Sequence, residues 1–198
     1  MMYTVVLGFA RLLTKLIWSL RVYGRENVPK KGPLIVAANH IHWMDPVALA
    51  IAIPRTVRFM AKQELFKNPA FGCFVRSIGA FPVKRGEPDR SAIRTSLELL
   101  RDGGVLGVFP EGTRSRTGDL REAEPGVAVL AVRGKAPVLP VGITCTPGFP
   151  KGVTVSIGRP MSFEQFYDQK AKMSTYRDIG REIMKEISRL REGAMDTL

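Results

Sequence analysis

The chain has 198 residues, 45% of them hydrophobic and 24% charged, which suits a folded domain with a full core and excludes a disordered polar chain. Lys and Arg number 30 against 18 Asp and Glu, giving a formal charge of +12 and a pI near 10.2. So basic a chain points to an anionic partner: nucleic acid, an anionic membrane surface or a phosphorylated substrate.

Residues 1–22 carry a helical pattern. Val5, Val6, Phe9, Leu12, Leu13, Leu16, Ile17 and Leu20 recur at three- and four-residue spacing, with Arg11, Lys15 and Ser19 towards the other side. Trp18, Arg21 and Tyr23 suit a membrane–water interface. The expectation is an amphipathic, membrane-surface helix over residues 1–23, followed by a domain over residues 24–198; the alternative is an ordinary helix packed on that domain. No uncharged run is long enough for a transmembrane helix, and Arg11 and Lys15 break any signal-peptide pattern.

Residues 24–33 form a basic connector. Residues 34–38 are a short unbroken apolar run, as in a strand covered on both faces. Asn39-His40-Ile41-His42-Trp43-Met44-Asp45 follows, with Asp45 as the expected N-cap and Pro46 as the first residue of a helix to residue 53. A second strand is expected over residues 56–61. Asn68-Pro69 restarts a helix that Gly79 ends, and a short strand over 80–83 leads into Lys84-Arg85-Gly86.

Residues 89–100 are a helix with Ile93, Leu97 and Leu100 on one stripe, stopped by Gly103-Gly104. A strand over 105–109 enters a polar loop to Pro125, then a small-residue helix over 126–132. Strands over 137–143 and 153–157 precede a charged helix over 174–192. Strands alternating with helices predict an α/β fold with a mainly parallel central sheet flanked by helices. Cys73 and Cys145 stand far apart in no metal or redox spacing, and are expected as reduced, free thiols packed in the interior.

Two loops can carry chemistry. The chain's two histidines, His40 and His42, lie in the first. A turn can fold Asp45 back onto His40, and a histidine held by a carboxylate is a general base. At this stage two alternatives stand beside it: a turn whose histidines cap or pack, and a metal site of His40, His42 and Asp45 that lacks a fourth ligand. The second loop is Phe109-Pro110-Glu111-Gly112-Thr113-Arg114-Ser115. If its strand runs parallel to that before His40, both loops open on one edge of the sheet. Gly112 lets backbone approach a ligand, Thr113 donates a hydrogen bond and Arg114 can grip a phosphate bidentately; a solvated loop is the alternative.

Lys62, Arg76, Lys84 and Arg85 flank strands, and two of them at one cleft would make a phosphate site. The apolar run 138–143 suits the wall of a pocket for a fatty chain. There is no G-x-S-x-G elbow, P-loop or G-x-G-x-x-G after a strand. Dispersed basic residues, without an aromatic-rich RNA-binding strand or zinc-finger spacing, argue against a nucleic-acid-binding domain.

Taken in order, NHIHWMD, KQELF with GAFPVKR, FPEGTRS and VLPVGI resemble the four motif blocks of the glycerolipid acyltransferase family, over residues 34–143. The resemblance implies His40 as catalytic base and Asp45 as the group that orients it. It implies a substrate-binding set of Asn39, Lys62, Arg85, Glu111, Gly112, Thr113 and Arg114, with Lys62, Arg85 and Arg114 on the acceptor's phosphate. The implied reaction moves a fatty acyl chain from acyl-CoA or acyl carrier protein to the sn-2 hydroxyl of 1-acyl-glycerol-3-phosphate (lysophosphatidic acid), giving phosphatidic acid. It needs no metal and no cofactor besides the acyl donor. Glycerol-3-phosphate or another lysolipid is the alternative acceptor. A lipid acceptor further implies a peripheral or monotopic protein on the cytoplasmic face of the cell membrane.

Overall fold

The structure, a computed structural model, describes residues 20–77, 79–83, 89–115, 117–145, 152–169 and 171–195. Seven strands are formed: β1 (Leu20–Tyr23), β2 (Leu34–Ala38), β3 (Val57–Lys62), β4 (Ala80–Val83), β5 (Val105–Val108), β6 (Val138–Cys145) and β7 (Val153–Ile157). The helices are α1 (Asp45–Ala52), α2 (Pro69–Ser77), α3 (Arg90–Arg101), α4 (Gly126–Arg133) and α5 (Met173–Met195), with short 3-10 turns at Arg25–Asn27, Gln63–Phe66 and Glu164–Phe166. The strands make one sheet in the order β1-β7-β6-β2-β5-β3-β4. The five from β6 to β4 are mutually parallel; β7 runs antiparallel to β6, and β1 runs parallel to β7. The expected mainly parallel α/β sheet is therefore present.

β2 shows why an unbroken apolar run becomes a central strand. Its five residues, Leu-Ile-Val-Ala-Ala, are all fully buried. Side chains alternate across a strand. Leu34, Val36 and Ala38 join a core with α1, while Ile35 and Ala37 join a second core with Leu100 of α3, Leu130 of α4 and Ile183 and Ile187 of α5. Each of the Leu, Ile and Val side chains stabilises the fold by about 1.5–3 kcal/mol on full burial.

This layering creates the site. β2 and β5 are hydrogen-bonded neighbours, Leu34 beside Val105 and Ala37 beside Val108. The chain leaves β2 for α1, on one face of the sheet, and leaves β5 for α4, on the other. Where adjacent parallel strands send their connections to opposite faces, a crevice opens beyond their carboxyl ends. The expectation that both loops open on one edge is met.

Other expectations are corrected or fall outside the description. Leu20, Arg21 and Val22 were expected to end the N-terminal helix. They are strand, pairing from Leu20 opposite Val153 to Tyr23 opposite Ser156. Four residues alternating between half-buried and exposed fit a sheet edge as readily as a helix end, and pairing with β7 decides. The rest of that helix, residues 1–19, lies outside the described residues. Cys73 is exposed rather than interior, and Cys145 is only partly covered. Among the described residues no helix is long and apolar enough to cross a membrane.

Candidate active site

The turn after β2 closes on Asp45. The expected N-cap role is not what the carboxylate performs: Met44 is the N-cap, Asp45 begins α1, and the first helical N–H groups reach backbone carbonyls. Asp45 Oδ2 instead accepts hydrogen bonds from Ile41 N–H, His42 N–H and His40 Nδ1, each at 2.8 Å. The two backbone donors fix the carboxylate, and the carboxylate fixes the ring. His40 is 8% exposed and Asp45 3%. With Nδ1–H donated to a carboxylate, Nε2 is left as the proton acceptor.

The second loop grips His40 as well. Glu111 Oε1 accepts the His40 N–H at 2.8 Å, while Ser115 N–H donates to the His40 carbonyl at 2.8 Å. Phe109 stacks on the imidazole, with centroids 4.0 Å apart and planes 18° from parallel, and Phe59 stacks behind Phe109 at 6.3 Å. Gly107 leaves room for that column, because a Cβ there would stand 2.3 Å from the Phe59 ring. Gly112 turns the loop at φ +67°, a conformation that L side chains rarely adopt.

Two residues expected to bind substrate have other partners. Asn39 is fully buried: its Nδ2 donates to the Ile143 carbonyl at 2.9 Å, and its Oδ1 accepts the Ile143 N–H at 2.7 Å. It thereby ties the end of β2 to β6. Glu111 is 4% exposed, and its second oxygen accepts the Arg121 N–H at 3.3 Å. Both satisfy backbone groups around the His40 loop. The run 138–143, expected as a pocket wall for a fatty chain, is central strand with both faces covered and lines no part of the cavity described next.

His40 and Phe109 open onto a cavity of about 270 Å³. Pro46 and Val47 of α1, Phe59, Met60 and Ala61 of β3, Val75 of α2 and Ala80 of β4 make its apolar walls, and Trp43, Leu65, Lys62 and Arg114 complete the lining. Arg114 also borders a shallower polar depression with Thr113, Ser115, Thr117, Asp119 and Arg121. One guanidinium thus borders both the apolar cavity and the polar depression.

Lys62 lies 3.3 Å from Glu64, both about half exposed. A bond from its own backbone N–H lowers the Glu64 carboxyl's pKa, and Lys62 lowers it further. Arg76 stacks over Phe66 at 5.1 Å. Lys84 and Arg85 lie outside the described residues. His42 stays within the turn, its Nδ1 accepting Met44 N–H at 3.3 Å. Among the described residues no three His, Cys, Asp or Glu side chains gather as a metal-binding group. The Cys145 thiol is pushed up to about 11, first by burial and then by the negative charge of Asp45.

Phe109, Ser115, Arg121, Trp43 and Leu65 were not singled out from sequence. Phe109 and Ser115 sat inside a motif already noticed, but stacking and backbone pairing leave no mark on spacing.

Comparisons with known proteins point to one family. The family model described as acyltransferase matches residues 19–144. A 1-acyl-sn-glycerol-3-phosphate acyltransferase of Bacillus subtilis is 36% identical over 140 residues, covering 70% of this chain and 69% of that protein. One of Streptococcus pneumoniae is 34% identical over 151 residues, covering 73% and 54%. A lyso-ornithine lipid O-acyltransferase of Pseudomonas aeruginosa is 32% identical over 136 residues, covering 68% and 51%. The chain therefore spans about half the length of these last two. A crystal structure of the 1-acyl-sn-glycerophosphate acyltransferase of Thermotoga maritima superposes with a TM-score of 0.76 at 26% identity, covering 98% of this chain and 79% of that one. The matched stretch holds β2 to β6 and both loops around His40, and the chain belongs to the acyltransferase family.

Proposed function

We propose that the protein transfers a fatty acyl group from a thioester, acyl-CoA or acyl carrier protein, to the sn-2 hydroxyl of 1-acyl-glycerol-3-phosphate, yielding phosphatidic acid at the cytoplasmic face of a membrane. One observation carries this reading: an imidazole held by a carboxylate at 2.8 Å opens onto an apolar cavity that Lys62 and Arg114 border. A base, a space for hydrocarbon and cations for a phosphate are what acylation of a phosphorylated lysolipid requires. The names of the Bacillus subtilis and Streptococcus pneumoniae relatives support the same acceptor.

A secondary hydroxyl is a weak nucleophile at neutral pH. His40 Nε2 takes its proton as the oxygen attacks the thioester carbonyl, and Asp45 stabilises the imidazolium that results. The new C–O bond forms first; the tetrahedral intermediate then collapses, the C–S bond breaks, and the imidazolium returns its proton to the departing thiolate. The acceptor supplies the hydroxyl, so no acyl-enzyme is needed. Arg114, and Lys62 on release from Glu64, bind the phosphate by charge-assisted hydrogen bonds. Arg85 adds a third cation in this reading.

The test pairs acceptors with donors on purified protein. Lysophosphatidic acid, glycerol-3-phosphate and a lyso-ornithine lipid are each offered with acyl-CoA and with acyl carrier protein. The expected result is at least about tenfold higher kcat/KM for lysophosphatidic acid than for the phosphate-free lysolipid, the worth of one charge-assisted contact. A preference for the phosphate-free acceptor overturns the assignment.

A further inference from the structure

Among the described residues four large hydrophobic side chains stand exposed: Tyr23 (48%), Trp43 (60%), Leu65 (39%) and Met173 (55%). Tyr23 and Met173 belong to separate elements, the end of β1 and the start of α5, and line no part of the cavity. Trp43 and Leu65 come from different segments, the turn after β2 and the 3-10 turn after β3, yet both border the His40 cavity. Lys62 and Arg114, both exposed, border it with them. Trp43 lies beside His42, with ring centroids 5.7 Å apart and planes tilted by 42°.

We propose that Trp43 and Leu65 form a docking surface by which the rim of the cavity inserts into a lipid surface, separately from anything residues 1–19 do. An indole with an apolar body and a polar N–H favours the interfacial zone of a bilayer. Leucine beside it adds apolar area, and flanking cations draw the rim to anionic headgroups. A rim facing water would leave 60% of Trp43 and 39% of Leu65 solvated. A rim seated in the interface buries them and lets a lysolipid pass from the bilayer to His40 without leaving an apolar path. The turn that carries Trp43 is the one Asp45 ties by three hydrogen bonds, so the indole is presented on a rigid mount. The inference rests on the lysolipid reading for its purpose, but it is tested without any substrate.

The experiment uses the full chain with Trp18→Phe, leaving Trp43 as the one tryptophan. Vesicles of phosphatidylcholine and phosphatidylglycerol, with and without brominated acyl chains, are added in the absence of acceptor and thioester. Docking predicts that brominated lipid quenches Trp43, that acrylamide quenches it less than in buffer, and that Leu65→Asp weakens vesicle binding about tenfold. The conservative change, Leu65→Ile, keeps an apolar rim and is expected to retain binding. Equal acrylamide access with and without vesicles overturns the proposal, whatever the vesicle affinity of the whole chain. Quenching by brominated lipid that appears only after acceptor or thioester is added also overturns it, since Trp43 would then contact substrate rather than the membrane. Acyl transfer measured in detergent micelles is a separate arm. Its absence would sink the lysolipid reading while leaving penetration by Trp43 intact.

Discussion

The two sides of the His40 cavity are built in opposite ways. On one side the residues that hold His40 are buried and partnered: the His40 ring by Asp45, its N–H by Glu111, its carbonyl by Ser115, and the preceding Asn39 by Ile143. On the other, Lys62, Thr113 and Arg114 are exposed, and the contact of Lys62 is a half-exposed ion pair. A base must meet a reacting proton within a few tenths of an ångström, so a rigid mount pays through the rate. The lipid headgroup of the proposed reaction is better met by long cationic side chains that can swing. Substitutions on the fixed side should therefore lower kcat and stability together, whereas those on the loose side should raise KM alone.

The largest effect is expected from His40→Ala, which removes the proposed base: turnover falls by about 10²–10⁴-fold while acceptor binding changes little. Steady-state kinetics with a binding titration checks this, and near-normal turnover would end the mechanism. Glu111→Ala comes next. It leaves the His40 and Arg121 N–H groups without their acceptor, costing about 1–3 kcal/mol in chemical denaturation and about 10²-fold in kcat through misplacement of the ring. A Glu111 variant that raised KM alone would return this residue to the substrate-binding set.

Arg114→Ala should raise the acceptor's apparent KM by roughly ten- to a hundredfold, with the thioester KM and the denaturation midpoint nearly unchanged. Loss of kcat with unchanged KM would show that the loose side is not loose. Phe109→Leu keeps apolar volume but removes the stacked ring, so kcat should fall by about tenfold with little change in either KM. The smallest effect concerns the thiols. With the Cys145 pKa near 11, alkylation at pH 8 should modify exposed Cys73 first, as read by mass spectrometry. Asp45→Asn removes a negative charge that raises that pKa. It should quicken Cys145 alkylation only modestly, because burial is the larger cause.

The +12 charge illustrates how a bulk property misleads about particular residues. Arg25 donates to the carbonyls of Ile51 and Ala52 at the end of α1, and Arg55 to those of Pro29, Gly32 and Gly103. These guanidiniums serve backbone carbonyls, so the part of the charge that can face an anionic surface is smaller than the total.

Local chemistry made the element order readable. An apolar run with both faces covered, an Asp-Pro helix start, Gly-Gly stops and alternating strands and helices all act over a few residues, and they place β2 to β7 and α1 to α5 where the structure has them. The same short range suggested His40 with Asp45, only five residues apart. Partners at long range were not readable. Asn39 meets Ile143 across 104 residues and His40 meets Glu111 across 71, and no spacing along the chain encodes those pairings. Strand register set them: once β2 lies between β5 and β6, the residues just beyond their ends must satisfy one another's buried N–H and C=O groups. That is why Asn39 and Glu111 of the motifs tie backbone groups together, and why the His40 they frame is so firmly placed.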